Sequence, residues 1–281
     1  MNKELNESSP IDTMDSGHLA MTYTALATLI ILGDDLSRID RKSISKGLKR
    51  MQNSDGSFTA SFEASENDMR FVYCACAVAY MINDWSGIDE EATVKFITSS
   101  ITYEGAFGQG HNLEAHGGST YCAIASLALM GRLNEGTISK SVKDQAIRWC
   151  IWRLNEGFHG RPNKPDDTCY TFWIGGALRL LVNSGDEIEP VIKAIASKSH
   201  QFVLSTQDAI IGGMAKWPDM TSPDPLHTYL GLSGMSLFLE PEDNIYCLLP
   251  VDPALNITMR ASAHLTDIKN RVYSNEKLEL G

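Results

Sequence analysis

The chain has 281 residues, of which 43% are hydrophobic, and its formal net charge is −11. A chain of this composition can bury a full core, and its acidic balance argues against an extended basic surface for nucleic acid. No run approaches ~18 consecutive apolar residues, and the first residues are polar, so we expect a cytoplasmic protein without stable membrane insertion.

Five apolar segments with a common pattern follow one another along the chain. Each begins with small or polar residues, contains a tyrosine and continues as an apolar run. The tyrosines that align these segments are Tyr23, Tyr73, Tyr121, Tyr170 and Tyr229. They lie about fifty residues apart, and a repeat of that length is typical of helical solenoids and barrels.

Two further features recur between the apolar segments. Glycine–aromatic turns come before the next tyrosine, at 55–58, 104–107 and 156–160, with a looser match at 212–217. Amphipathic stretches come before these turns, at 41–51, 90–101, 139–153 and 189–205. In the first of them, Ile44, Leu48 and Met51 recur at helical spacing. Each repeat therefore predicts a turn, an apolar helix, a short link and an amphipathic helix.

The repeats predict an all-α fold in which apolar helices form an inner layer and amphipathic helices cover them. We expect a closed α/α barrel, or toroid, rather than an open solenoid, because the inner helices are apolar nearly all round. The predicted organisation is a disordered N-terminal segment at 1–14, a barrel domain at 15–270 and a flexible C-terminal tail at 271–281. A helical repeat scaffold that binds proteins without catalysis is the alternative.

Three residues at the N-terminal ends of predicted inner helices suggest a metal site. Asp167 and Cys169 begin one such helix, and His227 begins the next. Carboxylate, thiolate and imidazole are suitable ligands for Zn²⁺, and three protein ligands leave one position open, as a catalytic zinc requires. The spacing of Asp167 and Cys169 is a weak signal by itself. The repeat register, which brings His227 to the same end of the barrel, makes the metal hypothesis preferable.

Basic and small residues at the same end suggest an anion site. His159, Arg161 and Lys164 directly precede the putative metal ligands. The preceding inner helix begins with His116, Gly117 and Gly118, whose backbone N–H groups we expect to approach an anion. Arg70 and Tyr170 begin neighbouring helices. A basic rim of this kind suits a diphosphate, and an aromatic interior beneath it suits an apolar tail.

Segments around these residues resemble the β subunits of protein prenyltransferases. The resemblance is carried by RPNKPDDTCYTFWIGGALRLL, HGGSTYCAIASLALMG and PDPLHTYLGLSGMSLF. It is strongest to the type I geranylgeranyltransferases through DSGHLAMTYTALATLIILGDDLSRID, ENDMRFVYCACAVAYMINDWSG and LSTQDAIIGGMAKWPD. It extends from about Asp15 to beyond Phe238, which is most of the chain.

The resemblance assigns roles to individual residues. Asp167, Cys169 and His227 match the positions that hold one zinc ion, which binds the substrate cysteine as a thiolate. The positions that bind the isoprenoid diphosphate correspond to His116, Gly117, Gly118, Arg161, Pro162, Asn163, Lys164, Tyr170, Thr171, Phe172 and Trp173. Those that bind the C-terminal CaaX motif of the substrate correspond to His18, Ala20, Arg70 and Phe71.

The resemblance also implies partners and a reaction. The expected reaction transfers geranylgeranyl from geranylgeranyl diphosphate to the cysteine of CaaX proteins such as small GTPases, usually those ending in leucine. The expected partner is a prenyltransferase α subunit, in an obligate heterodimer. Family members carry further helical hairpins before the DSGH segment, and we expect this chain to lack the first hairpins of the barrel. Leu230 replaces an aromatic residue that related enzymes often have near the isoprenoid end.

Lys216 bears on the alternatives within the family and on magnesium. Farnesyl-type β subunits resemble this region but carry an acidic residue for Mg²⁺ at that point, whereas a lysine supplies positive charge itself. We therefore expect Lys216 to replace Mg²⁺ near the diphosphate, so that Mg²⁺ is not required. A farnesyl-type or Rab-type β subunit and an inactive truncated scaffold remain the alternatives. The chain has no DDxxD or DxDD motif of the kind that terpene cyclases use.

Overall fold

The computed structural model describes residues 17–62, 66–182, 186–219, 222–239 and 246–279, with side chains to Arg271. The segment 1–14 that the sequence predicts to be disordered lies outside these residues. The helices are α1 (Leu19–Ile31), α2 (Arg41–Met51), α3 (Met69–Ile82), α4 (Glu90–Ser99), α5 (Gly117–Leu129), α6 (Lys140–Ile151), α7 (Tyr170–Leu181), α8 (Glu189–Ser205), α9 (Pro225–Ser236) and α10 (Met259–Glu279). A short antiparallel hairpin precedes α10, formed by β1 (Val251–Asp252) and β2 (Ile257–Thr258).

The odd-numbered helices α1 to α9 form the inner layer and pack side by side in chain order. The outer helices α2, α4, α6 and α8 cover them and keep the amphipathic character that the sequence predicts. In α2, for example, Ser45, Leu48 and Met51 are buried, while the lysines and arginines between them face outward. This arrangement confirms the predicted all-α toroid of repeated helical hairpins.

Glycines allow the inner helices to approach closely. A Cβ on Gly176 of α7 would lie 2.9 Å from the ring of Tyr121 in α5. One on Gly234 of α9 would lie 2.6 Å from the backbone of α7. Because real Cβ atoms do not approach other atoms this closely, larger residues at either position would push neighbouring inner helices apart.

The predicted burial of the inner helices holds for α3, α5 and α7 but is wrong for the two end helices. Met21 of α1 is 69% exposed, and Leu226 and Tyr229 of α9 are 55% and 46% exposed. The physical reason is position in the layer, because α1 packs mainly on α3, and α9 packs mainly on α7 and α8.

The glycine–aromatic turns form as the sequence predicts. Gly56 and Gly105 both have φ near +91°, and a Cβ on either would collide with the outer helix above it. Each turn closes through a single antiparallel bridge and buries its aromatic residue, as seen at Phe58, Phe107 and Phe158. The looser fourth match closes in the same way, between Gln207 and Met214, and buries a methionine instead.

The C-terminal hairpin returns to the inner helices of the first repeats. Its turn lies against their tyrosines, because the hydroxyl of Tyr23 donates to the carbonyl of Leu255 and that of Tyr73 donates to the carbonyl of Ala254. Leu255 and Ile257 are each 1% exposed, and α10 continues from the hairpin to pack on α1. The chain therefore links its last repeat to its first through this hairpin.

Two further expectations concern the chain as a whole. The backbone is helical through 271–279, and the flexibility expected of the tail stays a prediction. Among the described helices, none combines the length and the apolar character needed to cross a bilayer.

Candidate functional site

The N-terminal ends of the inner helices share one capping pattern, and together they define the mouth of the toroid. At each end a side chain accepts a hydrogen bond from a backbone N–H two or three residues later. The accepting residues are His18, Asp68, His116 and Asp224, which cap their helices, and Asp167, which accepts from the N–H of Cys169 just before α7. Because all five helices begin at the same edge, residues from distant repeats meet there.

This register corrects one alignment made from the sequence. Counting from these accepting residues, the residue of α7 that corresponds to Tyr73 and Tyr121 is Phe172, not Tyr170. Phe172 stacks edge-on against Tyr121, with ring centroids 5.0 Å apart. The pattern match was displaced by two residues because Tyr170 sits in a similar apolar context.

Asp167, Cys169 and His227 meet at the mouth, as the sequence predicts. Their potential ligand atoms all lie within 4.8 Å of one another. Asp167 and Cys169 are buried and His227 is half-buried. A carboxylate, a thiol and an imidazole at this separation fit the donor set of zinc.

The pKa of Cys169 shows what a cation would change at this cluster. Burial raises the pKa of the thiol well above its usual range, and the carboxylate of Asp167 raises it further. The protein alone therefore keeps Cys169 protonated at neutral pH. A bound divalent cation reverses this preference, because a coordinating thiol loses its proton.

The orientation of His227 is set by Asp224, a residue that the sequence analysis did not single out. His227 Nδ1 lies 2.5 Å from a carboxylate oxygen of Asp224, and His227 Nε2 lies 3.3 Å from Asp167. A hydrogen bond from the backbone N–H of His227 lowers the pKa of Asp224, so this carboxylate stays ionised. The proton is thereby placed on Nδ1, which leaves the Nε2 lone pair directed at the other two ligands.

Lys216 lies beside this cluster, and its expected role in place of Mg²⁺ near the diphosphate stays a prediction. Its Nζ is 3.6 Å from a carboxylate oxygen of Asp167 and 4.9 Å from the ring centre of Trp217. The carbonyl of Lys216 also accepts from the N–H of Thr168, which fixes the backbone next to the mouth. A positive charge is thus present at the metal cluster without any bound ion.

Of the predicted basic residues, Arg161 and Lys164 lie on one turn. The N–H of Lys164 donates to the carbonyl of Arg161, which closes a four-residue turn. Pro162 is the second residue of this turn, and Asn163, the third, has φ of +61°. Lys164 is exposed, whereas Arg161 forms an ion pair with Glu114, with 2.9 Å between Nη1 and Oε2.

His116 and Tyr170 pair directly across two repeats. The hydroxyl of Tyr170 lies 2.9 Å from His116 Nε2, while His116 Nδ1 accepts from the N–H of Gly118. Burial lowers the pKa of His116, and the charge of Arg161 lowers it further, so the ring is neutral. With Nδ1 an acceptor, the proton lies on Nε2 and is donated to Tyr170. The hydroxyl proton of Tyr170 is therefore available to another acceptor at the mouth.

The structure gives Gly117 and Gly118 a different role from the one expected. Their N–H groups donate to the carbonyl of Gly160 and to His116 Nδ1, so neither is free for an anion. Gly117 is needed for space instead, because its Cβ would lie 2.7 Å from Ile174. The close approach at Gly117 is between α5 and α7, not between the backbone and a ligand.

The side chain of Thr171 faces away from the mouth. Its side chain is 1% exposed and accepts a hydrogen bond from Ser199 of α8, on the outer side of α7. Helical geometry explains the difference, because residues next to each other on a helix point about 100° apart. The assignment of Thr171 to the diphosphate group therefore has no support from its side chain and stays a prediction.

The aromatic residues beneath the mouth form one connected cluster. Trp173 contacts both Tyr121 and Phe172, with ring centroids 5.2 and 5.6 Å apart. Phe172 is fully buried, whereas Trp173 keeps a partly accessible surface. This apolar wall lies one helical turn below Cys169.

The residues expected to bind a CaaX motif lie at the first two inner helices. The rings of His18 and Phe71 meet edge-on at 5.9 Å, and the guanidinium of Arg70 lies 5.3 Å above Phe71. Ala20 donates its N–H to His18. Arg70 pairs with Asp68 and Glu66, so its charge is balanced by neighbouring carboxylates.

Comparison with known proteins agrees with the toroid fold. A family model described as the prenyltransferase alpha-alpha toroid domain matches residues 6–257. The chain belongs to the prenyltransferase α/α-toroid family. The resemblance noted from the sequence is thereby confirmed.

Individual relatives place this prenyltransferase chain among type I sequences. The geranylgeranyl transferase type-1 subunit beta of Dictyostelium discoideum is 40% identical over 258 residues, which are 92% of this chain and 68% of that protein. The protein of the same name from Arabidopsis thaliana is 41% identical over 256 residues, 88% of this chain and 64% of that protein. A farnesyltransferase subunit beta from Pisum sativum is 36% identical over 193 residues, 66% and 43% of the two chains.

A solved structure supports the same placement. The Candida albicans protein geranylgeranyltransferase-I complexed with GGPP superposes with a TM-score of 0.79 at 28% identity. The match covers 90% of this chain and 75% of that one. This prenyltransferase chain is thus similar to type I enzymes in both sequence and backbone.

Three carboxylates at the mouth of this prenyltransferase chain were missed from the sequence. Asp224 orients His227, Glu114 holds Arg161, and Asp166 accepts from the N–H of Gly157 and pairs with His159. Asp224 could have been found, because an aspartate three residues before a histidine and next to a proline is a typical helix cap. The partner of Arg161 lies 47 residues away and has no local signal.

Proposed function

We propose that this chain is the catalytic β subunit of a zinc-dependent protein geranylgeranyltransferase of type I. It transfers geranylgeranyl from its diphosphate to the cysteine of C-terminal CaaX motifs, typically those ending in leucine. The observation that carries the proposal is the cluster of Asp167, Cys169 and His227 at the same mouth as Arg161 and Lys164. Similarity to type I β subunits over most of the chain supports it.

Asp167, Cys169 and His227 would hold one zinc ion, which supplies a site that keeps the substrate cysteine as a thiolate. The chemistry of the donor set supports zinc, because a thiolate and an imidazole select it over magnesium. Asp224 holds His227 in the ligating tautomer.

Arg161, Lys164 and the Tyr170 hydroxyl would bind the diphosphate and stabilise the negative charge that grows on the departing oxygen. His116 contributes by holding Tyr170. Phe172 and Trp173 would bound the apolar tail. Pro162 and Asn163 shape the turn that presents the two cations.

Lys216 supplies charge that Mg²⁺ would otherwise provide. Its ammonium group already pairs with Asp167, next to the metal cluster. A fixed cation at this position repels a second divalent ion and stabilises the leaving diphosphate. We therefore propose that transfer requires zinc and that Mg²⁺ is dispensable.

The proposed partners are a prenyltransferase α subunit, geranylgeranyl diphosphate and CaaX proteins such as small GTPases, in the cytoplasm. The grouping of His18, Ala20, Arg70 and Phe71 at one side of the mouth supports a peptide site there.

The test is to co-express the chain with a prenyltransferase α subunit and to assay transfer to CaaX peptides. We expect geranylgeranyl transfer to peptides ending in leucine, with weaker transfer to peptides ending in serine. Preference for farnesyl diphosphate and a terminal serine would indicate a farnesyl-type subunit. Absence of any transfer by a folded, zinc-loaded heterodimer would contradict the proposal.

The metal assignment is tested by Cys169→Ala, with metal content measured on the purified heterodimer. We expect about one zinc per wild-type chain. The variant should retain little zinc and show no transfer. Cys150→Ala is the matched control, because Cys150 is a buried cysteine of outer helix α6 and should leave metal content unchanged. Full zinc content in Cys169→Ala would place the metal elsewhere.

A further inference from the structure

The carboxylate of Glu114 forms an ion pair with Arg161, the residue proposed to bind the diphosphate. Arg161 Nη1 lies 2.9 Å from Glu114 Oε2, and the two side chains are 39% and 48% exposed. The ion pair therefore stands at the surface of the mouth, where an incoming anion reaches it. No other described residue forms an ion pair with Arg161 within 4.0 Å in the part of the chain that the structure covers.

The backbone on both sides of this pair is fixed. Glu114 immediately precedes Ala115, which bridges to Gly108, and His116, whose N–H donates to the carbonyl of Phe107. On the other side, the carbonyl of Gly160 accepts from the N–H of Gly117. The meeting of Glu114 and Arg161 is therefore built into the two loops, and only the side chains need to move when the pair separates.

The interaction energies favour replacement of Glu114 by a diphosphate as the partner of Arg161. An exposed carboxylate–arginine pair is weak, equivalent to a change of up to about fivefold in an equilibrium constant. A diphosphate carries more charge than one carboxylate and engages the guanidinium fork through two oxygens. The anion therefore displaces Glu114 from Arg161, and the displaced carboxylate then stands beside a like charge.

We propose that Glu114 is a positioning residue that holds Arg161 when the site contains no diphosphate and competes with diphosphate for it. The inference rests on the proposed function, in which Arg161 binds the isoprenoid diphosphate. Glu114 weakens diphosphate binding and, after transfer, recaptures Arg161 as the inorganic diphosphate leaves. Glu114 thereby lowers the affinity for the diphosphate head group and speeds the release of inorganic diphosphate.

The experiment measures binding of inorganic diphosphate to the zinc-loaded heterodimer of wild type and Glu114→Gln. We expect the dissociation constant to fall about two- to fivefold in the variant. The KM for geranylgeranyl diphosphate should fall in parallel, while kcat does not rise, because the change acts on the bound anion before and after chemistry.

Two further variants separate this role from a structural or long-range effect. In an Arg161→Gln background, Glu114→Gln should no longer tighten diphosphate binding, because its action passes through Arg161. Glu91→Gln is the matched control. Glu91 also pairs with an arginine, Arg132, which follows the C-terminal end of α5 and so lies at the end of this inner helix away from the mouth. Loss of the Glu91 charge should leave diphosphate binding unchanged.

The outcomes distinguish the two proposals. A wild type that transfers geranylgeranyl while Glu114→Gln binds diphosphate no more tightly would overturn the role of Glu114 alone. The same holds if the tightening persists without Arg161. A folded, zinc-loaded wild type that transfers no isoprenoid contradicts the proposed function, whatever Glu114→Gln does to diphosphate binding.

Discussion

At the scale of single residues, carboxylates set the state of the groups around the mouth. Asp224 fixes the tautomer of His227, Asp167 pairs with Lys216, and Glu114 pairs with Arg161. Each contact places a carboxylate next to a basic side chain. The mouth is therefore organised before any ligand arrives, and single charge changes should alter its chemistry more than its fold.

Asp224→Asn should weaken zinc binding about 10- to 100-fold, because the neutral amide no longer favours the proton on His227 Nδ1. An asparagine retains an oxygen that caps α9, so the fold should remain. The measurement is competition with a chelator. Asp89→Asn, which alters the cap of outer helix α4, serves as the control. Equal zinc affinity in wild type and Asp224→Asn would show that this contact does not tune the metal.

Lys216→Asp should make transfer responsive to Mg²⁺, because it replaces a fixed cation with a ligand for one. The measurement titrates Mg²⁺ at fixed zinc in wild type and variant. We expect a weak response from the wild type and activation of the variant. Strong activation of the wild type would contradict the proposed role of Lys216. Lys140→Asp, on the outer helix α6, is the matched charge control.

At the scale of elements, glycines hold the mouth together by close backbone approach. The carbonyl of Gly160 accepts from Gly117, which ties the turn that carries Arg161 to the first residue of α5. The ring of Tyr170 covers Gly160 so closely that a Cβ there would lie 2.1 Å from the ring. Turn, helix and ring are thus packed as one unit.

Gly160→Ala should therefore lower the free energy of unfolding by about 1–3 kcal/mol and move Tyr170 away from His116. Diphosphate binding should weaken in the same variant. Denaturant unfolding measures the first effect. Gly47→Ala is the contrasting control, because among the described residues its Cβ would meet only Phe62, at 3.8 Å. Alanine is the better helix former, so up to about 1 kcal/mol of stabilisation is expected. Unchanged stability in Gly160→Ala would contradict the packing argument.

At the scale of the whole molecule, the C-terminal hairpin connects the ends of the inner layer. Tyr23, Tyr73 and Tyr121 all donate to carbonyls of its turn, and Tyr229 of α9 donates to the carbonyl of Asn256. Asp252 caps the same turn through the N–H groups of Ala254 and Leu255. One short segment therefore contacts repeats that are far apart in sequence.

Leu255→Ala should destabilise the protein by about 2–5 kcal/mol, because Leu255 is 1% exposed and its removal leaves a cavity between the hairpin and the inner helices. Leu249→Ala, at a residue 60% exposed, should change stability by less than about 0.5 kcal/mol. Thermal or denaturant unfolding compares the two. Similar losses in both variants would show that the hairpin does not close the inner layer.

The sequence by itself determined the repeat, the helices, the turns and the chemical identity of the proposed metal ligands. These depend on local patterns, such as the glycine at Gly56 and the amphipathic spacing of Leu48 and Met51, which are visible within one or two helical turns. The choice of Asp167, Cys169 and His227 required only residue types and the repeat register.

The tertiary structure decided which groups meet across repeats. Tyr23 and Leu255 are separated by 232 positions, and Arg161 and Glu114 by 47, so no local pattern joins them. It also decided which direction a side chain faces, as for Thr171, which points to α8, whereas Phe172 and Trp173 contact Tyr121 of α5. Side-chain direction and long-range pairing depend on how each helix is rotated and packed against its neighbours, and the residue pattern of the chain does not show that packing.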